Sequence, residues 1–402
     1  MAKVFPYSAY LPSFEDAPKV ATLPYDVMNR AEARGYAEGN PLSFLRVTLS
    51  DLELPDEVSS YDPQVYQLAA ENWKRLAGTT LNPDPVPSYY VYSLVMNGRR
   101  QTGIAACAST EDYRNGVVRK HERTRQVKED DRTRHIMTTQ AQTGPVFLAY
   151  RDVPELNRIM AETMEKTAPI FDFTAADGVS HTGWRIPAEE TANVAAAFEQ
   201  VPVLYIADGH HRAAGATRAD EQLQGAGESS RFLAVIFPES ALKILAYNRV
   251  VADLNGMSSE EFLAKLATVG EIGEAASAEP AAAGQVCFYL DGKWRTLAFR
   301  ERHLESAIDS LDVSLLQDQV LRPMLAIDDP RTSSRIDFVG GIRGTGELEE
   351  RVNSGAWKVA FSMYPTSLDE LMRVADDNGI MPPKSTWFEP KLRDGLFTHA
   401  IC

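Results

Sequence analysis

The sequence predicts an α/β fold with a mixed sheet, because apolar β-rich runs alternate along the chain with runs of helical apolar spacing. Two turns, Asn97-Gly98 and Asp291-Gly292, each join two such β-rich runs and predict antiparallel hairpins. The chain has 402 residues, 44% of them hydrophobic, and is therefore long enough to bury a large core.

The first elements follow a loop that is rich in Pro and Tyr, at residues 4–29. Within it, Pro24 fixes its own backbone and favours an extended Leu23, so we expect an ordered loop rather than a helix. Asp62 and Pro63 are typical of the cap and the first residue of a helix. The predicted elements are a helix at 30–38, a strand at 43–49, a helix at 63–76 and hairpin strands at 89–96 and 101–108.

Strand and helix patterns alternate again after residue 143. Asp177-Gly178 marks a turn between two strands, and Ser258 with Glu261 forms a capping box at a helix start. The predicted strands are 144–150, 170–173, 180–186, 201–206, 231–237 and 244–251, and the predicted helices are 153–166, 187–200, 213–224 and 258–267.

The segment 270–284 is rich in Ala, Glu and Gly and is the best candidate for a linker. We therefore expect residues 1–270 to form a core that carries the functional site. Residues 285–402 are expected to form a C-terminal portion that packs back on this core with a Lys-Ser-Thr loop near the site. Its predicted elements are hairpin strands at 285–290 and 294–299 and helices at 313–321, 348–354 and 368–377.

The formal net charge of −15 disfavours nucleic acid and anionic membranes as partners, because an acidic surface repels both. The sequence shows neither a signal peptide nor an apolar stretch of membrane-spanning length, so we expect a cytoplasmic protein. Its three cysteines fit reduced thiols, have no metal-site spacing and are expected to be buried spectators. Any anion must therefore be bound in a local basic pocket.

The most informative stretch is Asp208-Gly209-His210-His211-Arg212, which lies where an apolar strand pattern passes into an Ala-rich helix pattern. The first N–H groups of a helix lack intrahelical partners and lie at the positive end of its dipole, which suits a phosphate. Arg212 adds a permanently charged forked donor. Adjacent histidines on a helix point about 100° apart, so we expect at most one of them to face a given ligand.

A second basic cluster spans residues 118–132 and is dense in charges of both signs. A solvated helix with surface ion pairs is the simplest interpretation. The alternative is that this segment contributes to a functional site, because an acid-base pair and anion donors occur together among basic residues. The residues concerned are His121, Glu122, Thr124, Lys128 and Arg132.

The third cluster, Lys384-Ser385-Thr386, supplies a cation, two hydroxyls and backbone donors, as a phosphate requires. It lacks the glycines and the following helix of a P-loop, so the alternative is a Pro-stiffened loop that enters an edge strand. The glycine-rich stretch at 340–346 matches no nucleotide fingerprint and is interpreted first as a loop and second as a phosphate site.

Four separated motifs together resemble domain-of-unknown-function family 1015. They are Leu23-Pro24-Tyr25-Asp26-Val27, the His121 segment with Lys128 and Asp131-Arg132, the turn at 207–212 and Met381-Pro382-Pro383-Lys384-Ser385-Thr386. They occur in order along nearly the whole chain. The family name implies no activity.

The turn at Asp208 is also similar to the Asp-Gly-His-His-Arg turn of free-serine kinases in the ParB/sulfiredoxin superfamily, where it binds nucleotide phosphates. This resemblance implies a ParB/sulfiredoxin-like nucleotide-binding core, elaborated here with extra hairpins and helices. It also implies an ATP- or ADP-dependent kinase that acts on the hydroxyl of a small metabolite, with serine as the candidate. No position outside the turn can be transferred.

The residues themselves are compatible with phosphoryl transfer, which needs charge neutralisation, Mg²⁺ and a carboxylate beside the attacking hydroxyl. We assign the phosphates to the turn residues Gly209, His210, His211 and Arg212, with His211 also a catalytic candidate. Glu122 is the first choice of base, Asp208 is a base or Mg²⁺ ligand, and Asp26 is third.

The other polar groups have secondary roles in this hypothesis. The Lys384 cluster would hold a second anion, either another phosphate or a substrate carboxylate. Asp26, His121, Thr124, Lys128 and Arg132 are secondary or substrate-binding candidates. His135, His181, His303 and His399 receive no role.

Two other classes remain open. A ParB-like regulator would bind nucleotide without transferring phosphate. A metal-dependent hydrolase would use Asp208, a turn histidine and Glu122 as ligands. The sequence leaves the phosphoryl donor, the acceptor and the oligomeric state undetermined.

Overall fold

The computed structural model describes residues 1–302 and 304–402, so His303 lies outside the described residues. The chain divides into two units. The first comprises residues 1–242 and 390–402, and the second comprises residues 243–389. The linker predicted at 270–284 does not coincide with a boundary between the units. It lies inside the second unit, and its first five residues form a strand.

The first unit contains a mixed sheet and a set of helices. Its strands are β1 (Val4–Phe5), β2 (Tyr10–Pro12), β3 (Leu81–Pro83), β4 (Tyr90–Met96), β5 (Arg99–Ser109), β6 (Val118–Arg119), β7 (Ala141–Gln142), β8 (Val146–Tyr150), β9 (Phe171–Thr174), β10 (Ser180–Arg185), β11 (Leu204–Asp208) and β12 (Arg231–Pro238). Its helices are α1 (Ala17–Val20), α2 (Arg30–Ala37), α3 (Leu45–Thr48), α4 (Pro63–Ala77), α5 (Thr110–Arg114), α6 (Gln126–Thr139), α7 (Pro154–Lys166), α8 (Thr191–Phe198) and α9 (His210–Leu223).

The main sheet of this unit has the strand order β6-β11-β8-β12-β5-β4-β10-β9, with β1 paired to β5. The pairs β6/β11 and β8/β12 are parallel, whereas β8/β11 and the pairs from β12 to β9 are antiparallel. The predicted α/β class with a mixed sheet is therefore confirmed. Because β11 lies between β6 and β8, its carboxyl end and the chain that follows β6 are close in space.

The centre of the sheet is apolar because its strands are continuous hydrophobic runs. All five residues of β8 are buried, as are residues 232–238 of β12. Helix α9 packs closely through small residues: a Cβ added to Gly215 would lie 2.8 Å from Cβ of Arg132 on α6. This close approach fixes α6, and with it Arg132, against the helix that follows the Asp208 turn.

Local signals in the sequence predict several elements correctly. The Asn97-Gly98 hairpin joins β4 to β5, and the Asp62 side chain accepts from the Gln64 N–H at the start of α4. The predicted strand at 43–49 is wrong, because residues 45–48 form the helical turn α3, followed by a 3-10 turn at Ser50–Glu53. Apolar residues in so short a run fit a strand or a buried helical turn equally well. Here Phe44, Leu45 and Val47 are buried against neighbouring helices.

The second unit is built on an antiparallel sheet of order β15-β17-β16-β19-β14-β18. The predicted hairpin at Asp291-Gly292 and the predicted capping box of Ser258 with Glu261 are both present. Its strands are β13 (Ile244–Leu245), β14 (Tyr247–Val251), β15 (Gly270–Glu274), β16 (Gln285–Leu290), β17 (Lys293–Phe299), β18 (Ile336–Gly340), β19 (Val359–Met363) and β20 (Trp387–Phe388), and its helices are α10 (Ser259–Val269), α11 (Asp312–Leu316), α12 (Gly346–Asn353) and α13 (Leu368–Asp376).

The glycine-rich stretch has a packing use in this unit. Gly340 ends β18, and a Cβ there would lie 2.9 Å from the Trp387 ring. A Cβ at Gly341 would lie 2.6 Å from the Ala246 carbonyl oxygen. Close packing therefore explains these two glycines without a ligand.

The C-terminal tail, residues 390–402, belongs to the first unit. Strand β21 (His399–Ala400) pairs with β7, and bridges join Tyr10 to Thr398 and Thr22 to Asp394. The tail is thus hydrogen-bonded to β7 and to the N-terminal loop region. Within the described part of the chain, no helix combines the length and apolarity needed to cross a membrane.

Candidate functional site

The turn between β11 and α9 is the centre of the site. Strand β11 ends at Asp208, and Gly209 has φ of 90°, a left-handed conformation that favours glycine. A Cβ at Gly209 would also lie 3.4 Å from the Val146 Cα. Gly209 supplies no capping side chain to α9. The Gly209 N–H donates to Asp208 and the Arg212 N–H donates to the Gly209 carbonyl, so the N–H groups of His210 and His211 are the candidate donors to an anion.

Asp208 is paired with a lysine from the tail. The Lys391 ammonium donates to Asp208 Oδ2 at 2.7 Å, and the Gly209 N–H donates to Oδ1 at 2.8 Å. Burial opposes ionisation of Asp208, but Lys391, Arg212 and the Gly209 N–H together hold its pKa well below the ordinary value. The carboxylate therefore stays charged and anchors a cation beside the helix N-terminus.

Arg212 extends from the first turn of α9 into the interior. Its Nη1 donates to the Pro145 carbonyl at 2.9 Å and lies 3.4 Å from Asp394 Oδ1, while Nη2 lies 3.6 Å from Asp26 Oδ1. Burial favours the neutral form, but Asp394 and Asp26 outweigh it and raise the pKa of Arg212 above its ordinary value. The guanidinium is thus a fixed positive charge with little exposure to solvent.

Tyr25, from the N-terminal loop, lies between two arginines. The Arg132 guanidinium is 3.9 Å from the centroid of the Tyr25 ring, and that of Arg212 is 5.5 Å away. Arg132 also pairs with Asp131 at 2.8 Å. Burial raises the pKa of Tyr25 to about 12, so its hydroxyl stays neutral at physiological pH. This arrangement fixes the N-terminal loop, and Asp26 with it, beside the turn.

The two histidines of the turn hold the segment after β6. His211 Nε2 accepts from the Arg125 N–H at 3.1 Å, and His210 Nε2 accepts from the His121 N–H at 3.5 Å. The rings of His121 and His210 meet edge to face with centroids 4.6 Å apart. Burial lowers the pKa of His121 to about 4 and also lowers those of His210 and His211. All three rings are therefore neutral at pH 7, and both turn histidines contact the same segment.

The structure places most of the predicted site residues around the Asp208–Arg212 turn and leaves the others at the edge of this group or away from it. Asp26, His121 and Arg132 lie around the Asp208–Arg212 turn. Glu122 is exposed on the segment that the histidines hold. The Thr124 hydroxyl donates to Glu129 on α6, and the Lys128 ammonium lies 5.5 Å from the Tyr61 ring centroid. These local contacts explain Thr124 and Lys128 without a ligand.

The Lys384-Ser385-Thr386 cluster lies in the second unit. The Ser385 hydroxyl donates to the Pro382 carbonyl at 2.6 Å, and the Lys384 ammonium is 5.4 Å from the Tyr247 ring centroid. Lys384 has φ of 59°, and its carbonyl accepts from Arg249 at 3.0 Å. These contacts define a turn inside the second unit, and its use as an anion site stays a prediction.

Two residues of the site, Lys391 and Asp394, were missed by sequence reasoning. Both lie in the tail, and their partners Asp208 and Arg212 lie more than 180 positions earlier. No periodicity or short motif connects such distant residues. The only signal is that Lys391 follows the Lys-Ser-Thr motif by a few residues.

Asp208 as a Mg²⁺ ligand stays a prediction, because its carboxylate is already paired with the Lys391 cation. Both carboxylate oxygens already accept, one from Gly209 and the other from the Lys391 ammonium. Among the residues at 1–302 and 304–402, no three His, Cys, Asp or Glu side chains are grouped as a metal site.

The chain matches one family model and several distant solved structures. The model, described as "Protein of unknown function (DUF1015)", matches residues 4–314, and no curated protein matches the chain. A solved structure of a free serine kinase mutant in complex with AMP is 14% identical with a TM-score of 0.36, covering 76% of this chain and 92% of that one.

Two further solved structures are similarly distant. A conserved hypothetical protein from Pyrococcus furiosus is 16% identical with a TM-score of 0.35 and coverages of 73% and 94%. C-terminally truncated SbnI from Staphylococcus aureus is 10% identical with a TM-score of 0.40 and coverages of 72% and 85%.

Proposed function

The chain belongs to the DUF1015 family, as its motifs predicted, and for this member we propose a phosphotransferase that uses ATP or ADP. In this proposal the nucleotide phosphates bind at the β11–α9 turn, and a phosphoryl group is transferred to the hydroxyl of a small metabolite. Serine is the candidate acceptor, on the resemblance of the Asp208–Arg212 turn to that of free-serine kinases. The fourth motif, at 381–386, lies beyond the residues that the family model matches.

One observation carries the proposal: two fixed cations flank an uncapped helix N-terminus. Lys391 is held by Asp208 at 2.7 Å, and Arg212 is held by Pro145 at 2.9 Å. Gly209 lacks a side chain that would cover the first N–H groups of α9. Backbone donors, the helix dipole and two cations form the usual binding set for a phosphate.

The segment that His210 and His211 contact supports a catalytic role for the Glu122 carboxylate. His210 and His211 fix the backbone at residues 121 and 125, so Glu122 between them is confined to the neighbourhood of the turn. Glu122 is exposed and remains our first candidate to contact the acceptor or orient it. Asp208 is better described as a positioning residue, because its ion pair with Lys391 and its lowered pKa make it a weak base. Asp26 lies 3.6 Å from Arg212 with its side chain 45% exposed, so it also stays a candidate.

Mg²⁺ would accompany the nucleotide, whose phosphates supply most of its ligands in such reactions. We assign no residue of this chain to it. The residues act on the phosphates through charge and backbone donors.

The test is a combined binding and transfer assay. The protein is incubated with ATP or ADP, Mg²⁺ and a panel of hydroxyl metabolites that includes L-serine, and phosphorylated product is measured alongside nucleotide Kd. We expect Arg212→Ala to weaken nucleotide binding at least tenfold and Glu122→Gln to abolish turnover while leaving Kd unchanged. Glu111→Gln and Arg158→Ala, at surface ion pairs elsewhere, are the matched controls and should behave as wild type.

The outcomes separate the candidate functions. Nucleotide binding without transfer to any acceptor would indicate a ParB-like regulator. Near-normal rates in both Arg212→Ala and Glu122→Gln would remove the assignment. Absence of nucleotide binding in the wild-type protein would eliminate kinase and regulator together.

A further inference from the structure

A small cavity borders Arg212. Its volume is about 30 Å³, and its walls include Tyr25, Arg132, Thr143, Gly144, Arg212 and Asp394. This space holds one or two waters, or about two heavy atoms of a ligand. Arg212 therefore borders both the proposed phosphate site and a cavity.

Asp394 is the unusual group in this cavity. Its side chain is 1% exposed, and Oδ2 has no hydrogen-bond partner among the described residues. Buried carboxylates normally have partners on both oxygens, because an unpaired buried acceptor is costly. The charged groups that face it are Arg212, Asp26, Arg132 and Arg393. Three of these four groups are cationic, yet Oδ2 itself stays unpaired.

The fold holds this carboxylate in place from three sides. Backbone hydrogen bonds of 2.9 and 3.1 Å join Asp394 to Thr22 in both directions. A Cβ on Gly144 would lie 2.6 Å from Asp394 Oδ1 and 2.9 Å from Arg212 Nη1, so only glycine leaves room for the pair. Asp394 is therefore a positioned group with one oxygen that remains available to a ligand.

We propose that the cavity receives the hydroxyl-bearing end of the acceptor and that Asp394 Oδ2 is the general base for that hydroxyl. This inference rests on the proposed phosphotransferase function and adds the residue that takes the proton. The volume of about 30 Å³ admits a CH₂–OH group but not a whole metabolite. The acceptor is therefore a primary alcohol whose remaining atoms stay outside the cavity.

With ATP as the donor, the acceptor oxygen forms a bond to the γ-phosphorus while its proton passes to Asp394 Oδ2. The bond from the γ-phosphorus to the β,γ-bridging oxygen breaks, and ADP leaves with that electron pair. Asp394 then releases the proton to solvent, which restores the carboxylate. Arg212 borders the cavity and belongs to the first turn of α9, so in this proposal it stabilises the charge on the transferring phosphoryl group.

The acidity of Asp394 suits this role. Burial raises its pKa to about 7, and Asp26 adds to this effect, whereas Arg212, Arg132 and Arg393 act in the opposite direction. A general base is most effective when its pKa lies near the working pH. Asp208, by contrast, is tied to Lys391 and has a lowered pKa.

The test compares Asp394→Asn with Asp177→Asn over a range of pH. Asp177 forms an ion pair with Arg393, the residue before Asp394 in the tail. It does not line the cavity, so it is a matched carboxylate control. We expect Asp394→Asn to keep the wild-type nucleotide Kd. Its kcat should fall about 100-fold, where kcat is the summed rate of phosphoryl transfer to primary alcohols and to water. The wild-type rate should rise with pH through a midpoint near 7, and this acidic limb should disappear in Asp394→Asn.

Each outcome decides the proposal. If Asp394→Asn transfers phosphate at the wild-type rate, or keeps the acidic limb, Asp394 is not the base while the phosphotransferase function stands. If the wild-type protein binds no nucleotide, or binds it without transfer to any acceptor or water, the proposed function itself fails and takes this inference with it. If circular dichroism shows that Asp394→Asn does not fold, Asp394→Glu replaces it. The longer side chain should keep the acidic limb and lower kcat, and an unchanged kcat would overturn the proposal.

Discussion

The Lys391 ammonium lies 2.7 Å from Asp208 Oδ2, although the two residues are 183 positions apart in the chain. Lys391 is only 14% exposed and Asp208 is 40% exposed, so the pair closes one side of the turn while the carboxylate still reaches solvent. The tail thus contributes to a candidate site whose other residues lie between Tyr25 and Arg212.

Replacing Lys391 by alanine should weaken the binding of ATP or ADP about tenfold or more, because one charge-assisted contact to phosphate contributes about 1.5–3 kcal/mol. Isothermal titration calorimetry measures the change. Lys166→Ala is the control. Lys166 also forms an ion pair, with Glu162 on an exposed helix, but it lies outside the candidate site. An unchanged Kd in Lys391→Ala would mean that this ion pair only secures the tail.

Gly209→Ala should destabilise the first unit by roughly 1–2 kcal/mol, because an L-residue is strained at φ of 90°. Urea unfolding followed by circular dichroism measures the loss. Gly35→Ala in helix α2 is the control: a Cβ there has nothing within 4 Å, so this change should stabilise by roughly 0.5–1 kcal/mol. Equal effects of the two substitutions would contradict the proposed strain.

His211→Ala should loosen the segment that carries Glu122. Loss of the hydrogen bond from the Arg125 N–H removes roughly 1 kcal/mol, so amide exchange in a peptide spanning 118–126 should become about fivefold faster. Hydrogen-exchange mass spectrometry measures this rate. Asn193→Ala, on the exposed face of α8, serves as the control and should leave the peptide unchanged. Wild-type exchange in His211→Ala would show that this contact does not hold the segment.

The free energy of unfolding should increase as pH rises from about 4.5 to 6.5. Burial lowers the pKa of His121 and His135 to about 4 and of His181 and His399 to about 3, so the unfolded chain binds more protons than the folded chain in this range. Each such histidine contributes a slope of roughly 1.4 kcal/mol per pH unit, present above the unfolded pKa and lost on acidification.

Two carboxyls act in the opposite direction. The pKa values of Asp312 and Asp394 are raised to about 7 by burial, so their stabilisation is complete below the unfolded pKa and is lost as pH rises towards 7. The four histidines outnumber them, and the net slope should stay positive. Denaturant titrations at pH 4.5, 5.5 and 6.5 test the sign, and His135→Gln should reduce the slope. A flat or falling profile would contradict the predicted burial of neutral histidines.

Elements with strong local signals could be predicted from the sequence. The Asn97-Gly98 turn, the Asp62 cap and the Ser258-Glu261 capping box all depend on neighbouring residues, and all three are present. The strand at 43–49 was wrong because its burial against other helices, and not its local pattern, decides its conformation. The interpretation of 118–132 as one charged helix was half right, since α6 begins only at Gln126.

The histidines show the same limit within the candidate site. Helical geometry predicted that His210 and His211 would point in different directions, and it led us to expect at most one of them at a ligand. Their actual partners are backbone N–H groups near residues 121 and 125, which neighbour the turn only because β6 pairs with β11. Strand order, which one sequence does not specify, placed these groups together.

The sequence by itself determined the α/β class and the family, and it predicted an anion site at the Asp208–Arg212 turn, because each of these depends on residues close together along the chain. Only the tertiary structure decided that Tyr25 lies between Arg132 and Arg212, that Lys391 pairs with Asp208 and that Asp394 is buried beside Arg212. These contacts join distant segments, and their energies come from burial and charge pairing in a shared interior. That interior exists only after the tail has packed against the N-terminal loop.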